Sequence, residues 1–434
     1  MKTLASVELW GRPIGAVSID SAGAAARFEY APDFAAAGIE PAPLKMPVQA
    51  GRIYRFPELP RPAFHGLPGM LADAIPDKFG NALIDAWLAG EGRSADSFDA
   101  VERLCYIGRR GMGALEFGPL RGPRPRKSER LHIDRLVELA SEVLSHRDDL
   151  RARFEEDGNG LREILRVGTS AGGARAKAVV AWNPTTNEVR SGQVTAPEGF
   201  GYWLLKFDGV RGNRDKELAD PHGYGAVEFA YHKMALAAGI EMTECRLLEE
   251  NGRRHFMTRR FDRLPDGSKL HLQSLAALAH FDFNHAGAYG YEQAFQVIRD
   301  LGLGMDALLE QFRRMVFNLV ARNQDDHVKN IAFLMDKRGR WRLAPAFDVT
   351  YAYNPDGDWT SRHQMTVNGK RDDFTLGDLE HCAESASIAK SKVKPILEQV
   401  RTAVARWPEF ADPAKVDPTW RDAIAKTHRL SGWH

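Results

Sequence analysis

Apolar side chains near the start of the chain alternate with polar ones, whereas after residue 290 they recur at every third and fourth position. In "TLASVELWGRPIGAVSID" (3–20) the period of two runs on either side of a Gly-Arg-Pro turn and predicts two short strands; "AARFEYA" (25–31) predicts a third. The chain therefore begins as sheet. Leu71, Ile75, Phe79, Leu83 and Ile84 then fall at helical spacing in "GMLADAIPDKFGNALIDAWLAG" (69–90), interrupted at Pro76, and "IDRLVELASEVLSH" (133–146) predicts a further helix.

The middle of the chain mixes both periods. "GYWLLKFDG" (201–209) predicts a strand, "AVEFAYHKMALAAG" (226–239) a helix, and "ECRLLEENGRRHFMTRRFDRL" (244–264) a strand pair turned at Asn251-Gly252. Helices follow in "YEQAFQVIRDLG" (291–302), "MDALLEQFRRMVFNLVARN" (305–323) and "IAKSKVKPILEQVRTAVARW" (388–407). Between them, "IAFLMDKRGRWRLAPAFDV" (331–349) predicts two short strands around a charged turn.

Composition narrows the class. A chain of 434 residues is too long for one typical core, so two or three structural units are expected. With 44% apolar and 27% charged residues it is neither a disordered nor a fibrous chain. Its 59 basic and 58 acidic side chains nearly cancel, so no bulk field draws the whole protein to nucleic acid or anionic lipid. Basic residues do concentrate in "LRGPRPRKSER" (120–130), which reads as a boundary and either a solvated linker or a local nucleic-acid contact. Cys105, Cys245 and Cys382 are too scattered for a metal cluster or a disulfide framework, which fits a reducing cytoplasm. The start, "MKTLASVELWGRPIG", is unlike a secretory signal, and no stretch approaches the roughly eighteen apolar residues of a membrane span. No membrane partner is expected.

The densest polar chemistry is "RNQDDHVKN" (322–330), directly after an apolar helical run. Asp325 and Asn330 are separated by four residues, the spacing that protein kinases use for a catalytic base and a magnesium ligand. The predicted hairpin after this motif ends at Asp348. Phosphoryl transfer needs hard oxygen ligands on a magnesium ion, which Asn330 and Asp348 supply, and an ionised carboxylate to take the acceptor's proton, a role for Asp325. His327 raises the possibility of a metal centre, but two aspartates and a histidine in consecutive positions do not all face one ion on a regular element. Read blandly, the nonapeptide is a solvated, capped helix end.

Two upstream stretches bear on this reading. In "VGTSAGGARAKAVVAW" (167–182) small residues and glycines precede an apolar strand, which suits a backbone loop around phosphate or a plain hairpin entry. Lys206 sits among Tyr202, Trp203, Leu204, Leu205 and Phe207. If it points inward it needs an anion, a nucleotide phosphate or Glu228 of the next helix; otherwise it reaches solvent from a strand edge.

Taken together, "RNQDDHVKNIAFL", "LAPAFDV", "TSAGGARAK" and "RRFDR", with "FHGLPGMLADAIPDKFGNALI" and "IGRRGMGALEFGPL" nearer the start, resemble the HipA-like serine/threonine kinases, toxins of type II toxin–antitoxin modules. The likeness runs over nearly the full chain. It implies an α+β, two-lobed protein-kinase-like fold with an extra N-terminal β-rich subdomain (1–125), a kinase N-lobe (126–262) and a mainly helical C-terminal lobe (263–434). It implies ATP and Mg2+ as cofactors, Asp325 as catalytic base, and Asn330 and Asp348 at magnesium. Gly172, Gly173, Ala174, Arg175, Ala176 and Lys177 would form the phosphate loop, with Lys206 also on the phosphates. Arg259, Arg260 and Phe261 would lie at the adenine, and His327, Val328, Lys329 and Phe347 beside the nucleotide. Arg175 and Ala176 stand where polar or acidic residues are familiar, and the expected hinge opens with Arg259.

The resemblance also implies regulation and partners. Ser170 falls at the family's autophosphorylation position, where phosphate would add about two negative charges beside an anionic nucleotide and expel the loop. A small helix-turn-helix, HipB-like antitoxin is the implied partner and the link to operator DNA, and a translation component such as an aminoacyl-tRNA synthetase the implied substrate. On the residues alone, a small-molecule or lipid-headgroup phosphotransferase and a nucleotide-binding co-repressor scaffold without turnover stay open.

Overall fold

The computed structural model describes residues 2–21, 23–76, 78–122, 130–145, 164–165, 167, 175–210 and 222–434. The chain divides into two compact units. The first comprises Met1–His222, Leu248–Gln273 and Met335–Arg340; the second comprises Gly223–Leu247, Ser274–Leu334 and Trp341–His434. The early strands and those around Lys206 thus share one unit, and the helix Tyr224–Ala237 belongs with the later helices.

In the first unit the alternating opening segment forms β1 (Thr3–Leu9) and β2 (Arg12–Ile19), and "RFEY" forms β3 (Arg27–Tyr30). With β4 (Ile53–Tyr54) and β5 (Leu115–Gly118) they make a sheet in the order β4-β3-β2-β1-β5. Ala5, Val7 and Leu9 point inward, but on β2 the buried positions are Ile14, Val17 and Ile19. The broken alternation comes from a register shift at Val7/Glu8, because one extra residue on a strand reverses the facing of the residues after it. Gly15 crosses β3 so closely that a Cβ there would collide with the carbonyl oxygen of Glu29.

A second sheet of the order β7-β6-β8-β10-β9 contains β6 (Lys177–Trp182), β7 (Val189–Ser191), β8 (Gly201–Lys206), β9 (Cys245–Glu250) and β10 (Arg253–Arg259). Asn251 and Gly252 both take positive φ, 46° and 77°, as a two-residue hairpin matching the strand twist requires. Every residue of β6 is buried, which explains why its residues 178–182 run apolar without alternation. Val180, Trp182, Leu205 and Met257 share one core with Leu136, Val137, Ala140 and Val143 of the helix Ile133–Ser145 and with Phe79 and Leu83 of the helix Lys78–Gly90.

In the second unit the helices Tyr291–Asp300, Met305–Val320 and Lys390–Ala405 appear where the three-and-four spacing places them, after β11 (His271–Ser274), and a further helix, Leu376–Ser385, was not expected from the sequence. Met305–Val320 turns Leu308, Phe312, Met315, Val316, Leu319 and Val320 inward, one apolar stripe of a 3.6-residue period. The expected hairpin is β12 (Ala332–Met335) and β13 (Trp341–Leu343). Among the described residues no helix is long and apolar enough to cross a membrane.

The segment "RRFDR" closes the first unit with a buried ion cluster. Asp262 accepts from the Gly113 amide at 2.7 Å, from Arg260 through Nε at 2.9 Å and a terminal nitrogen at 2.7 Å, and from Arg263 at 2.8 Å. Burial pushes this carboxyl up, but the two guanidinium groups and the hydrogen bonds outweigh it and hold it far below the usual carboxylate range. Asp262→Asn should destabilise the protein by about 3–5 kcal/mol at neutral pH, because two buried guanidinium groups lose their counter-charge. A carboxyl depressed by folding stabilises above its unfolded value and loses that contribution as pH falls through the folded one. The difference between wild type and Asp262→Asn in denaturant unfolding should therefore shrink only below about pH 4.

Candidate active site

The helix Met305–Val320 ends at Ala321, and Arg322 turns the chain with φ 57° into the polar motif. Gln324 donates its amide to the Ala352 carbonyl at 3.1 Å, and a single 3-10 turn, Val328–Asn330, leads into β12. Asn330 Nδ2 donates to the backbone carbonyl of Asp325 at 2.8 Å. That bond fixes which way the amide faces and leaves its Oδ1 as the atom able to serve a cation.

The two adjacent carboxylates have opposite surroundings. Asp325 keeps 44% of its side chain exposed, accepts from Trp359 Nε1 at 2.7 Å and lies 3.8 Å from His327 Nε2. Asp326 is buried, 3% exposed, and accepts from the Tyr291 hydroxyl at 2.8 Å, His363 Nδ1 at 2.9 Å and the Gln364 amide at 2.8 Å. Burial pushes the Asp326 carboxyl up, and its three donors, His363 foremost, pull it below the usual range. Asp325 can therefore meet a reactant, while Asp326 holds structure. The sequence singled out Asp325 and missed the task of Asp326, whose partners lie 35 to 38 residues away.

Asp348 comes after the hairpin at φ 56°, in the left-handed region that aspartate tolerates better than most non-glycine residues. Ala346 anchors this stretch through its amide to the Glu241 carbonyl at 2.8 Å, and Val349 is buried on its other side. Phe347 and Asp348 are half-buried. Val328 packs in the core, His327 lies 6.3 Å from the Phe283 ring, and Lys329 sits 4.6 Å over the same ring.

In the first unit, Lys177 opens β6 and Lys206 ends β8, and the register sets them directly opposite each other. Opposed residues of an antiparallel pair share a face. They are 2% and 6% exposed, Arg175 is buried two residues earlier, and Lys206 Nζ lies 5.6 Å from the Phe256 ring. Lys206 thus points inward rather than reaching solvent. Ser170, Gly172, Gly173 and Ala174 lie outside the described residues. Glu228 is buried on the helix Tyr224–Ala237, in the second unit. Arg259 is exposed at the end of β10 and Phe261 half-exposed, whereas Arg260 donates its amide to the Tyr202 carbonyl at 2.9 Å and its guanidinium to Asp262.

The mixed fold is shared with a chain of the Shewanella oneidensis MR-1 toxin–antitoxin complex of HipA, HipB and operator DNA. The TM-score is 0.69 at 16% identity, over 99% of this chain and 97% of that one. The HipA N-terminal domain model matches residues 5–118 and the HipA-like C-terminal domain model residues 169–407; the chain belongs to the HipA-like family. Two Sinorhizobium fredii proteins, "Putative kinase Y4dM" and "Putative kinase Y4mE", are 24% and 27% identical over 60% and 46% of this chain. The chain matches 62% and 51% of the length of these curated relatives.

Removing one ammonium group should weaken phosphate binding. Wild type should gain thermal stability on addition of ATP with magnesium, by about 2.7 kcal/mol at a hundred times its Kd. Lys206→Met should need at least about ten times more ATP for the same rise in melting temperature, a loss of about 1.4 kcal/mol.

Proposed function

We propose that this chain is an ATP-dependent serine/threonine protein kinase acting as the toxin of a toxin–antitoxin pair. The observation that carries the reading is the half-exposed Asp325 carboxylate, held beside an Asn330 amide whose orientation is set by the Asp325 backbone. Membership of the HipA-like family and relatives described as kinases support it.

Asp325 orients the acceptor hydroxyl and takes its proton as the hydroxyl oxygen bonds to the γ-phosphorus of ATP and the bond from that phosphorus to the bridging oxygen breaks, releasing ADP. Asn330 and Asp348 provide two hard oxygen ligands for magnesium, and Arg175, Lys177 and Lys206 hold the phosphates of ATP. When bound, the cation neutralises phosphate charge and lowers the cost of bringing a nucleophile to it. The loop 172–177 completes the phosphate contacts, and the backbone at Arg259 and Phe261 faces the adenine edge. Arg260 belongs with them at the adenine, and its guanidinium also holds the turn through Asp262. His327, Val328, Lys329 and Phe347 line the nucleotide.

A small helix-turn-helix antitoxin neutralises the kinase and ties it to operator DNA, as the HipA–HipB–operator complex of the structural relative suggests. The substrate is a translation component, an aminoacyl-tRNA synthetase being the family's precedent, in the cytoplasm. Ser170 is the site of self-inactivation. A residue of a molecule's own phosphate loop can hardly reach its own base, so phosphate arrives from a second copy and its accumulation is second order in enzyme.

Asp325→Asn should lower phosphoryl transfer by about 10²–10⁴-fold, measured with radiolabelled ATP and cell lysate, while ATP affinity stays within a few-fold of wild type. Unchanged transfer by the purified variant would sink the assignment. Peptide mass mapping after incubation with ATP and magnesium should find phosphate on Ser170, and the stoichiometrically modified protein should be inactive. A phosphorylated but fully active protein would reject self-inactivation.

A further inference from the structure

Asp326 and the segment 359–364 are joined by several bonds at once. The carboxylate holds the Gln364 amide at 2.8 Å and His363 Nδ1 at 2.9 Å, and the Gln364 side chain donates in turn to the Trp359 and Arg362 carbonyls. Gln324 Nε2 donates to the Thr360 carbonyl at 3.1 Å from the other side. On the far side of the imidazole, an Arg429 guanidinium nitrogen lies 2.9 Å from His363 Nε2. A guanidinium only donates, so Nε2 presents its lone pair and Nδ1 carries the proton to Asp326. Arg429 is itself fixed by the Leu319 carbonyl at 3.1 Å and by Asp372.

The segment so held carries one side chain to the reactive carboxylate. Trp359 donates its indole N–H to Asp325 Oδ1 at 2.7 Å. Indole is a donor only, so this bond fixes Oδ1 of Asp325 as its acceptor. A half-exposed aspartate with no such bond would rotate about its side-chain torsions, and misplacement of a base costs rate steeply.

We infer that Trp359 is a positioning residue for Asp325, and that buried Asp326 acts through His363 and Gln364 to hold the tryptophan in place. The inference rests on the kinase reading of the site. It gives the second carboxylate of the Asp-Asp pair a task in the same reaction as the first, without contact with any reactant. Trp359 restrains the base, and Asp326 restrains Trp359.

Trp359→Phe keeps an aromatic ring and removes the donor. In steady-state assays with radiolabelled ATP, its kcat should fall by about tenfold to a hundredfold while KM for ATP stays within twofold, since no nucleotide contact is lost. Gln364→Ala should do the same more weakly. A second readout needs no turnover: the Trp359 indole N–H resonance, assigned as the peak absent from Trp359→Phe in a 15N–1H correlation spectrum, should move upfield in Asp325→Ala and in Gln364→Ala. An active wild type with an equally fast Trp359→Phe, or an indole resonance indifferent to Asp325→Ala, would overturn the positioning role alone. A wild type that transfers phosphate to no acceptor, itself included, would instead overturn the kinase reading and this inference with it.

Discussion

The second unit depends on one buried carboxylate. Asp326 gathers a helix through Tyr291, a distant loop through the Gln364 amide and a buried imidazole through His363, and Asn318 extends the set by donating to Tyr291 at 3.0 Å. A charge taken fully out of water is costly, and three well-directed donors make it tolerable only in one arrangement of those elements. The cost therefore becomes specificity. The loop from Arg322 to Asn330 has a defined shape because its middle residue cannot leave this nest.

The first unit uses buried charge in two contrasting ways. At Asp262 the signs are opposite and the network closes on itself, with Arg260, Arg263 and the Gly113 amide around one carboxylate. At Lys177 and Lys206 the signs are alike, on facing residues of neighbouring strands. The first arrangement stabilises the protein as it stands; the second brings two ammonium-bearing side chains to one face of the sheet. Segments that look equally basic in sequence are thus placed differently, one around a shared carboxylate and one across two neighbouring strands.

Much of the fold was legible in periodicity. The period of two gave β1 and β2, Asn251-Gly252 marked its hairpin, and the stripe along 305–320 gave its helix, because each is a local property of the backbone and of the face it buries. The phase break on β2 was not legible, since the bulge arises from pairing with β1. Lys206 could have pointed either way by sequence; it is 6% exposed on β8, which lies between β6 and β10 in the sheet. The buried network around Arg260 was not legible, because Asp262 and Gly113, the latter far away in sequence, come together only on this turn.

By itself the sequence determined the elements, the family likeness and the spacing of Asp325, Asn330 and Asp348, all of which lie within a short run of chain where covalent geometry limits what neighbours can do. Only the tertiary structure decided which of Asp325 and Asp326 would be exposed. Adjacent residues of one type are chemically indistinguishable until distant groups choose between them. Here Trp359 and the water-facing side took one, and Tyr291, His363 and Gln364 took the other. Hydrogen bonds between residues tens of positions apart have no period, and so leave no pattern along the chain to read.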